Sequence, residues 1–268
     1  MSKKTKNIIF YTLLVLFIAG AGVCGYFLFS YFHASHENEE MISSLKDMIE
    51  EDDTEGESVH AEENAEPLKV VVDERWVLKK YAKLYEQNHD FVGWISIEDT
   101  NIDYPVVHCP ENEQKYLRKN FYGEYALAGT PFMAGACDPV KPSTNLIIYG
   151  HNMKDNTMFG GLSDYADQSF YEAHKIIRFD TIYDIHHYEV IAAFHTTVQS
   201  STGQKLYNFI MASSEEKLND VMQSIRKDSE IETNFDATMD DHFLTLSTCD
   251  DSGAATGHRF LVVAKQID

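Results

Sequence analysis

Cysteine is scarce in this chain: 4 in 268 residues, too few for a scaffold built on disulfides. Basic residues are also few. Against 43 Asp and Glu stand 22 Lys and Arg, a formal net charge of −21, and no basic block follows the short cluster at the N-terminus. A surface that neutralises nucleic-acid phosphates is thereby excluded. No internal repeat at a period of about 20–50 residues is present, which removes solenoids and propellers. What is present is apolar. With 44% hydrophobic and 12% aromatic residues the chain is not wholly disordered and must form a packed core. At about 100–200 residues per domain, the length fits one sizeable core with appendages.

Residues 8–32 form an uncharged run of 25 residues, which as a helix reaches about 37 Å against a hydrocarbon core of about 30 Å. It is long enough to span a bilayer. Lys3, Lys4 and Lys6 precede it and an acidic stretch follows, so the positive-inside rule leaves residues 1–7 in the cytoplasm and exports the remainder. A cleaved signal peptide is the competing reading. The run exceeds the usual apolar length of such a peptide, about 7–15 residues, and no clear small-x-small site follows, so an uncleaved anchor is expected. Cys24, preceded by Val23, reads as an ordinary small membrane residue rather than a site of acylation.

Residues 33–67 carry thirteen Asp and Glu against the single Lys46. So few large apolar side chains and so much self-repulsion predict an extended, mobile linker, with a short helix allowed over residues 41–49. Glu50, Glu51, Asp52 and Asp53 lack the alternating spacing and glycine turn of a calcium loop, so they read as solvated charge and no metal or other cofactor is expected. The globular part is then residues 68–268.

Within it, residues 73–87 place Val77, Tyr81, Leu84 and Tyr85 on one helical face behind Asp73 and Glu74, which predicts one amphipathic helix. Eight short β-type runs follow, over residues 91–97, 104–107, 131–134, 145–149, 175–179, 187–194, 243–247 and 259–265. Separated by Gly, Pro, Asn and Asp clusters, they imply a mainly β fold, a barrel or a sandwich. One interruption is helical: residues 213–216 read as a capping box, and Leu218, Val221, Met222 and Ile225 recur at helical spacing.

Three cysteines lie beyond the membrane run, and an odd number in an exported domain leaves at least one thiol unpaired. Cys109 and Cys137 fit either a disulfide or two separate thiols. Cys249 differs, because it ends the alternating strand pattern of residues 243–247 and so sits where a strand reaches the rim of its sheet. Antiparallel pairing with the run that begins at Arg259 brings that arginine to the same rim. A cation beside a thiol suits both thiolate stabilisation and the anchoring of an oxyanion. An acid–base partner is still required. Among the histidines His151 is best placed, directly after the apolar strand of residues 145–149 and Gly150.

The segment 245–249, Thr-Leu-Ser-Thr-Cys, followed ten residues later by Arg259, resembles the active-site signature of the sortases. Residues 145–162 are similar to the histidine segment of class B sortases in particular. Gly93-Trp94, residues 101–107, Tyr116-Leu117 and Asn120-Phe121 match that class in order, and so does a helix between the sixth and seventh strands. The resemblance covers residues 73–268. It implies a closed eight-stranded barrel with an N-terminal helix, and a membrane-anchored cysteine transpeptidase on the outer face of a Gram-positive cell. Cys249 would attack the threonine carbonyl of an Asn-Pro-x-Thr-Asn-like motif at the C-terminus of surface proteins. A peptidoglycan amine, or its lipid-linked precursor, would resolve the thioacyl enzyme, with His151 moving protons and Arg259 holding the oxyanion. Leu117, Tyr149 and Ser247 would line the motif-binding groove. Asp250 and Asp251 read as solvated loop charges rather than as a third triad member. Rival readings are a pilin-polymerising enzyme, in which a protein lysine resolves the intermediate, a hydrolytic cysteine protease, and an inactive binding module. Papain-like proteases place Cys before His, the reverse of His151 and Cys249.

Overall fold

The computed structural model describes residues 3–54, 68–141, 143–249 and 257–268. The chain divides into two compact units, residues 1–43 and 44–268. A single helix, α1 (Lys3–Thr54), begins in the first unit. Its apolar part is the one stretch among the described residues long and apolar enough to cross a membrane.

The extended chain expected from residue 33 onward is not what residues 33–54 adopt, because α1 continues through them. Glu, Met, Leu and Lys are strong helix formers, and His33 with Glu37 and His36 with Glu40 pair one turn apart at 3.5 and 3.3 Å. Within the second unit Leu45 is fully buried and Lys46 Nζ lies 2.6 Å from Asp103 Oδ2. Tertiary contact holds helical a segment whose charge alone argues for a coil. The rest of the expected linker, residues 55–67, lies outside the described residues.

The amphipathic helix expected over residues 73–87 is also corrected. Residues 69–78 form a hairpin instead, β1 (Lys69–Val72) against β2 (Arg75–Leu78), with Val70 opposite Val77 and Val71 opposite Trp76. Asp73 and Glu74 are its turn, at φ +47° and +66°, rather than a helix start. β-branched residues on both sides favour the pairing. Only a 3-10 turn (Lys79–Tyr81) and the short α2 (Ala82–Gln87) are helical. Val77, Tyr81, Leu84 and Tyr85 are all buried, as the spacing requires, although they sit on different elements.

Eight strands close a barrel: β3 (Phe91–Ser96), β4 (Asp103–Val107), β5 (Phe132–Met133), β6 (Asn145–Gly150), β7 (Ile176–Thr181), β8 (His187–Thr197), β9 (Phe243–Cys249) and β10 (His258–Gln266). Their order around the barrel is β10-β8-β7-β3-β4-β5-β6-β9, with β9 pairing back onto β10. The pairs β4–β5 and β6–β9 are parallel and the others antiparallel. Every strand expected from the sequence is present.

Between β8 and β9, the sixth and seventh barrel strands, the chain inserts α4 (Ser201–Tyr207) and α5 (Glu215–Asp228). The N-cap of α5 is Ser214, whose hydroxyl accepts from Lys217 N. Leu218, Val221, Met222 and Ile225 pack with Leu206 of α4 against Phe194, Phe243, Leu261 and Val263. The alternate residues Phe260 and Val262 are fully buried too, so β10 is covered on both faces and reads as an unbroken apolar run.

Candidate active site

Three strands meet at one rim. β9 and β10 pair with Cys249 opposite Arg259 and Ser247 opposite Leu261. On its other edge β9 runs parallel to β6, with Ser247 beside Tyr149 and Thr248 beside Gly150. His151 is the next residue on that side and Cys249 the next on this one. The thiol, imidazole and guanidinium residues singled out in the sequence therefore occupy neighbouring positions at a single sheet end.

Local chemistry explains the placement. Thr245 Oγ1 donates to Asn145 Oδ1 at 2.9 Å in the buried layer, pinning the start of β6 to β9. Gly150 is required by close approach, because a Cβ there would stand 2.5 Å from the Phe159 ring. Phe159 N donates back to His151 O at 2.9 Å, and the buried Met158 N donates to Tyr104 Oη at 3.0 Å. The loop behind His151 is thus folded tightly onto the barrel.

His151 is half-buried, and its Nε2 lies 2.8 Å from the carbonyl oxygen of Leu117. Burial pushes the imidazole below its ordinary value; the Leu117 carbonyl opposes that shift, and the Arg118 charge adds to it. Arg259 Nη1 donates to the carbonyl of His258 at 2.7 Å.

Of the expected groove residues, Tyr149 is half-buried. Its ring centroid is 5.3 Å from that of Phe132 and 6.2 Å from that of Tyr207, nearly parallel to the latter. Burial, and after it the nearby Glu113 carboxylate, push the phenol well above its ordinary value, while Arg259 pulls it down. Ser247 is buried, and its hydroxyl shares a 2.7 Å hydrogen bond with the Tyr207 hydroxyl. Leu117 is half-buried and contributes its backbone carbonyl to His151.

Tyr207 and Glu113 were not singled out in the sequence. Tyr207 lies on the inserted α4 and Glu113 in a 3-10 segment (Pro110–Tyr116), and neither belongs to a pattern that carries chemistry. Proximity to Tyr149 is their only signal, and it exists only in the fold. Asp250 and Asp251 lie outside the described residues. Cys109 and Cys137 are separate free thiols. Cys137 is buried with its Sγ 3.4 Å from Ile147 N, and burial pushes its thiol up to about 11, so it is a core residue rather than a candidate nucleophile. Among the described residues no three His, Cys, Asp or Glu side chains converge where a metal ion could be held.

The closed eight-stranded barrel thus sets Cys249 opposite Arg259, with His151 just past the end of the adjacent parallel strand. The sortase domain model matches residues 95–267, and the chain belongs to that family of cysteine transpeptidases, which anchor proteins at the cell surface. Its relatives are of the sortase B kind. Sortase B of Staphylococcus aureus is 36% identical over 193 residues, covering 71% of this chain and 76% of that protein. A substrate complex of Staphylococcus aureus sortase B superposes with a TM-score of 0.73 at 29% identity, over 87% of this chain and 98% of that one. Sortase B of Bacillus anthracis gives 0.71 at 29% identity, over 88% and 99%.

Proposed function

We propose that Cys249 is the nucleophile, His151 the acid–base residue and Arg259 the oxyanion donor of a class B-type sorting reaction. The observation that carries this reading is the double register of β9, which pairs Cys249 with Arg259 on one edge and sets Thr248 beside Gly150, next to His151, on the other. The Cys249 thiolate attacks the carbonyl carbon of the scissile threonine in an Asn-Pro-x-Thr-Asn-like motif. The oxyanion so formed accepts from the Arg259 guanidinium. As the tetrahedral species collapses, the C–N bond breaks and the His151 imidazolium gives its proton to the departing amine, leaving a thioacyl enzyme and a neutral imidazole. An incoming amine attacks the thioester, His151 takes its proton, and the thiolate departs.

A buried imidazole with a lowered pKa is a reluctant cation but a ready proton donor once charged. Leu117, Tyr149 and Ser247 form the groove, with Tyr207 as a fourth member that must shift if the Ser247 hydroxyl is to reach the peptide. The acceptor is an amine of the peptidoglycan cross-bridge or its lipid-linked precursor. The apolar part of α1 holds the enzyme in the cell membrane, with the catalytic unit outside.

Incubating the enzyme with an Asn-Pro-x-Thr-Asn peptide, with and without a small amine such as triglycine, tests the reading by mass spectrometry. A thioacyl adduct on Cys249 and an amine-dependent ligation product are expected. Hydrolysis alone in both arms would make the chain a protease, and ligation only to a protein lysine would make it a pilin polymerase.

A further inference from the structure

We propose that the loop spanning residues 116–130 is a positioning device for His151: it presents the Leu117 carbonyl to the imidazole, fixes which ring nitrogen carries the proton, and relies on Gly129 for the space to do so. The inference rests on His151 as the acid–base residue.

A carbonyl oxygen only accepts, so the 2.8 Å contact between His151 Nε2 and Leu117 O requires the proton on Nε2. In the neutral ring the lone pair is then on Nδ1, which is the atom left to exchange protons with thiol and amine. In a catalytic triad the orienting acceptor is a carboxylate. Here it is neutral, so it selects a tautomer without the charge that would strongly favour imidazolium. The charge that acts on this ring is that of Arg118 in the same loop, while Cys249 and Arg259 hold register positions at the neighbouring strand ends.

The loop is built to hold that carbonyl still. Tyr116 is buried, and its hydroxyl meets Asn88 Oδ1 at 3.2 Å and Asp90 Oδ2 at 3.0 Å. Thr130 N donates to Tyr116 O at 3.2 Å, Ala126 N to Arg118 O at 3.1 Å, and Asn120 N to Glu124 O at 2.8 Å. The Arg118 guanidinium donates to Leu127 O. Both arms are therefore cross-braced on either side of Leu117.

Gly129 closes the loop at φ +63°, and a Cβ built there would stand 2.6 Å from Leu117 O and 2.7 Å from Tyr116 O. Such distances are not tolerated against backbone, so any side chain at position 129 must force its own backbone away from the Tyr116 and Leu117 carbonyls and change the seat of the Leu117 carbonyl on the imidazole. Gly123, in the same loop, also has a positive φ, +82°, but its Cβ would meet nothing within 4 Å. The two glycines share a backbone requirement and differ in the carbonyl.

That difference supplies the test. In the full-length protein in detergent micelles, labelled with 15N-histidine and assigned with H151Q, the neutral His151 ring should carry its proton on Nε2. G129A should mix the two tautomers and lower kcat about tenfold or more, with a smaller change in KM, the scale expected for a displaced catalytic group. G123A should keep the tautomer and stay within about twofold of the parent kcat. An Nδ1-protonated ring in the unmodified protein would overturn the proposal, whether or not G129A folds. So would a folded G129A with unchanged tautomer and kcat, or a G123A that loses as much. If H151A kept its turnover, the catalytic reading itself would fail, a result separable from the tautomer measurement.

Discussion

Arg259, the second residue of β10, stands opposite Cys249, with its guanidinium resting on the carbonyl of the residue before it. A planar fork held by one backbone acceptor can turn its remaining donors toward a developing oxyanion, which a flexible ammonium does less well. R259A should lower kcat by about 10²–10³, the usual cost of one oxyanion donor, and R259K should fall nearly as far. Steady-state kinetics on a sorting-motif peptide checks this, and a near-complete rescue by lysine would reduce the role to charge alone. C249A should abolish both cleavage and the thioacyl adduct while leaving the far-UV circular dichroism unchanged, because the residue ends a strand at the rim. The neighbouring placement of Cys249, His151 and Arg259 was legible because each sits at an end of an apolar run, a pattern printed in the chain itself. The Tyr207 partner of Ser247 and the Leu117 carbonyl that meets His151 were not legible. They arrive from 40 and 34 residues away, and a backbone oxygen leaves no trace in residue types.

The eight barrel strands were readable because short apolar runs and the turn residues that bound them are local properties. The β1–β2 hairpin was misread because Val77, Tyr81, Leu84 and Tyr85 happen to fit a helical period, while the decisive fact, two consecutive left-handed residues at Asp73 and Glu74, is invisible in composition. A second long-range element is the charge cluster around the buried Asp180 of β7. Asp180 is 2% exposed, with Lys80 Nζ at 2.6 Å, Arg178 Nη2 at 2.8 Å and the Tyr81 hydroxyl at 2.9 Å, so it ties the 3-10 turn after the hairpin to the barrel. Burial pushes this carboxyl up, but the hydrogen bonds and charges of Arg178 and Lys80 outweigh it and hold the group below the usual carboxylate range. A folded value below the unfolded one means that the stabilisation is fully present above the unfolded pKa, about 4, and is lost as the pH falls through the folded value. D180N leaves the half-buried Lys80 facing a neutral amide and should cost about 1–3 kcal/mol at pH 7. Urea unfolding at pH 7 and pH 3 should show that penalty shrinking in acid. An equal deficit at both pH values would mean that lost packing, not the ion cluster, sets the cost.

For the molecule as a whole, sequence and structure differ most over where the catalytic unit begins. Charge and composition end the linker at residue 67, whereas the second compact unit starts at Ser44. Long-range contact makes the difference: Leu45 is fully buried, Lys46 pairs with an Asp103 that also accepts from Trp94 Nε1 at 2.6 Å, and Met48 Sδ lies 3.3 Å from Gln87 Nε2. Acidic composition forecasts repulsion but says nothing of which apolar side chain finds a surface. A chain beginning at Leu68 retains Cys249, His151 and Arg259 and should still turn over a soluble peptide. It gives up the burial of Leu45, worth about 1.5–3 kcal/mol, and should therefore unfold at lower urea than a chain beginning at Ser44. Equal midpoints would return the boundary to residue 68. In cells both truncations should fail to anchor surface proteins, since the apolar part of α1 is what would hold enzyme, substrate and lipid-linked acceptor on one surface and raise their effective concentration. Fusing an unrelated membrane span to the Ser44 chain should then restore anchoring, with cell-wall fractionation of a sorting-motif reporter as the measurement. A fusion that reaches the membrane, is active on peptide and still fails to anchor would give the native α1 a role beyond tethering.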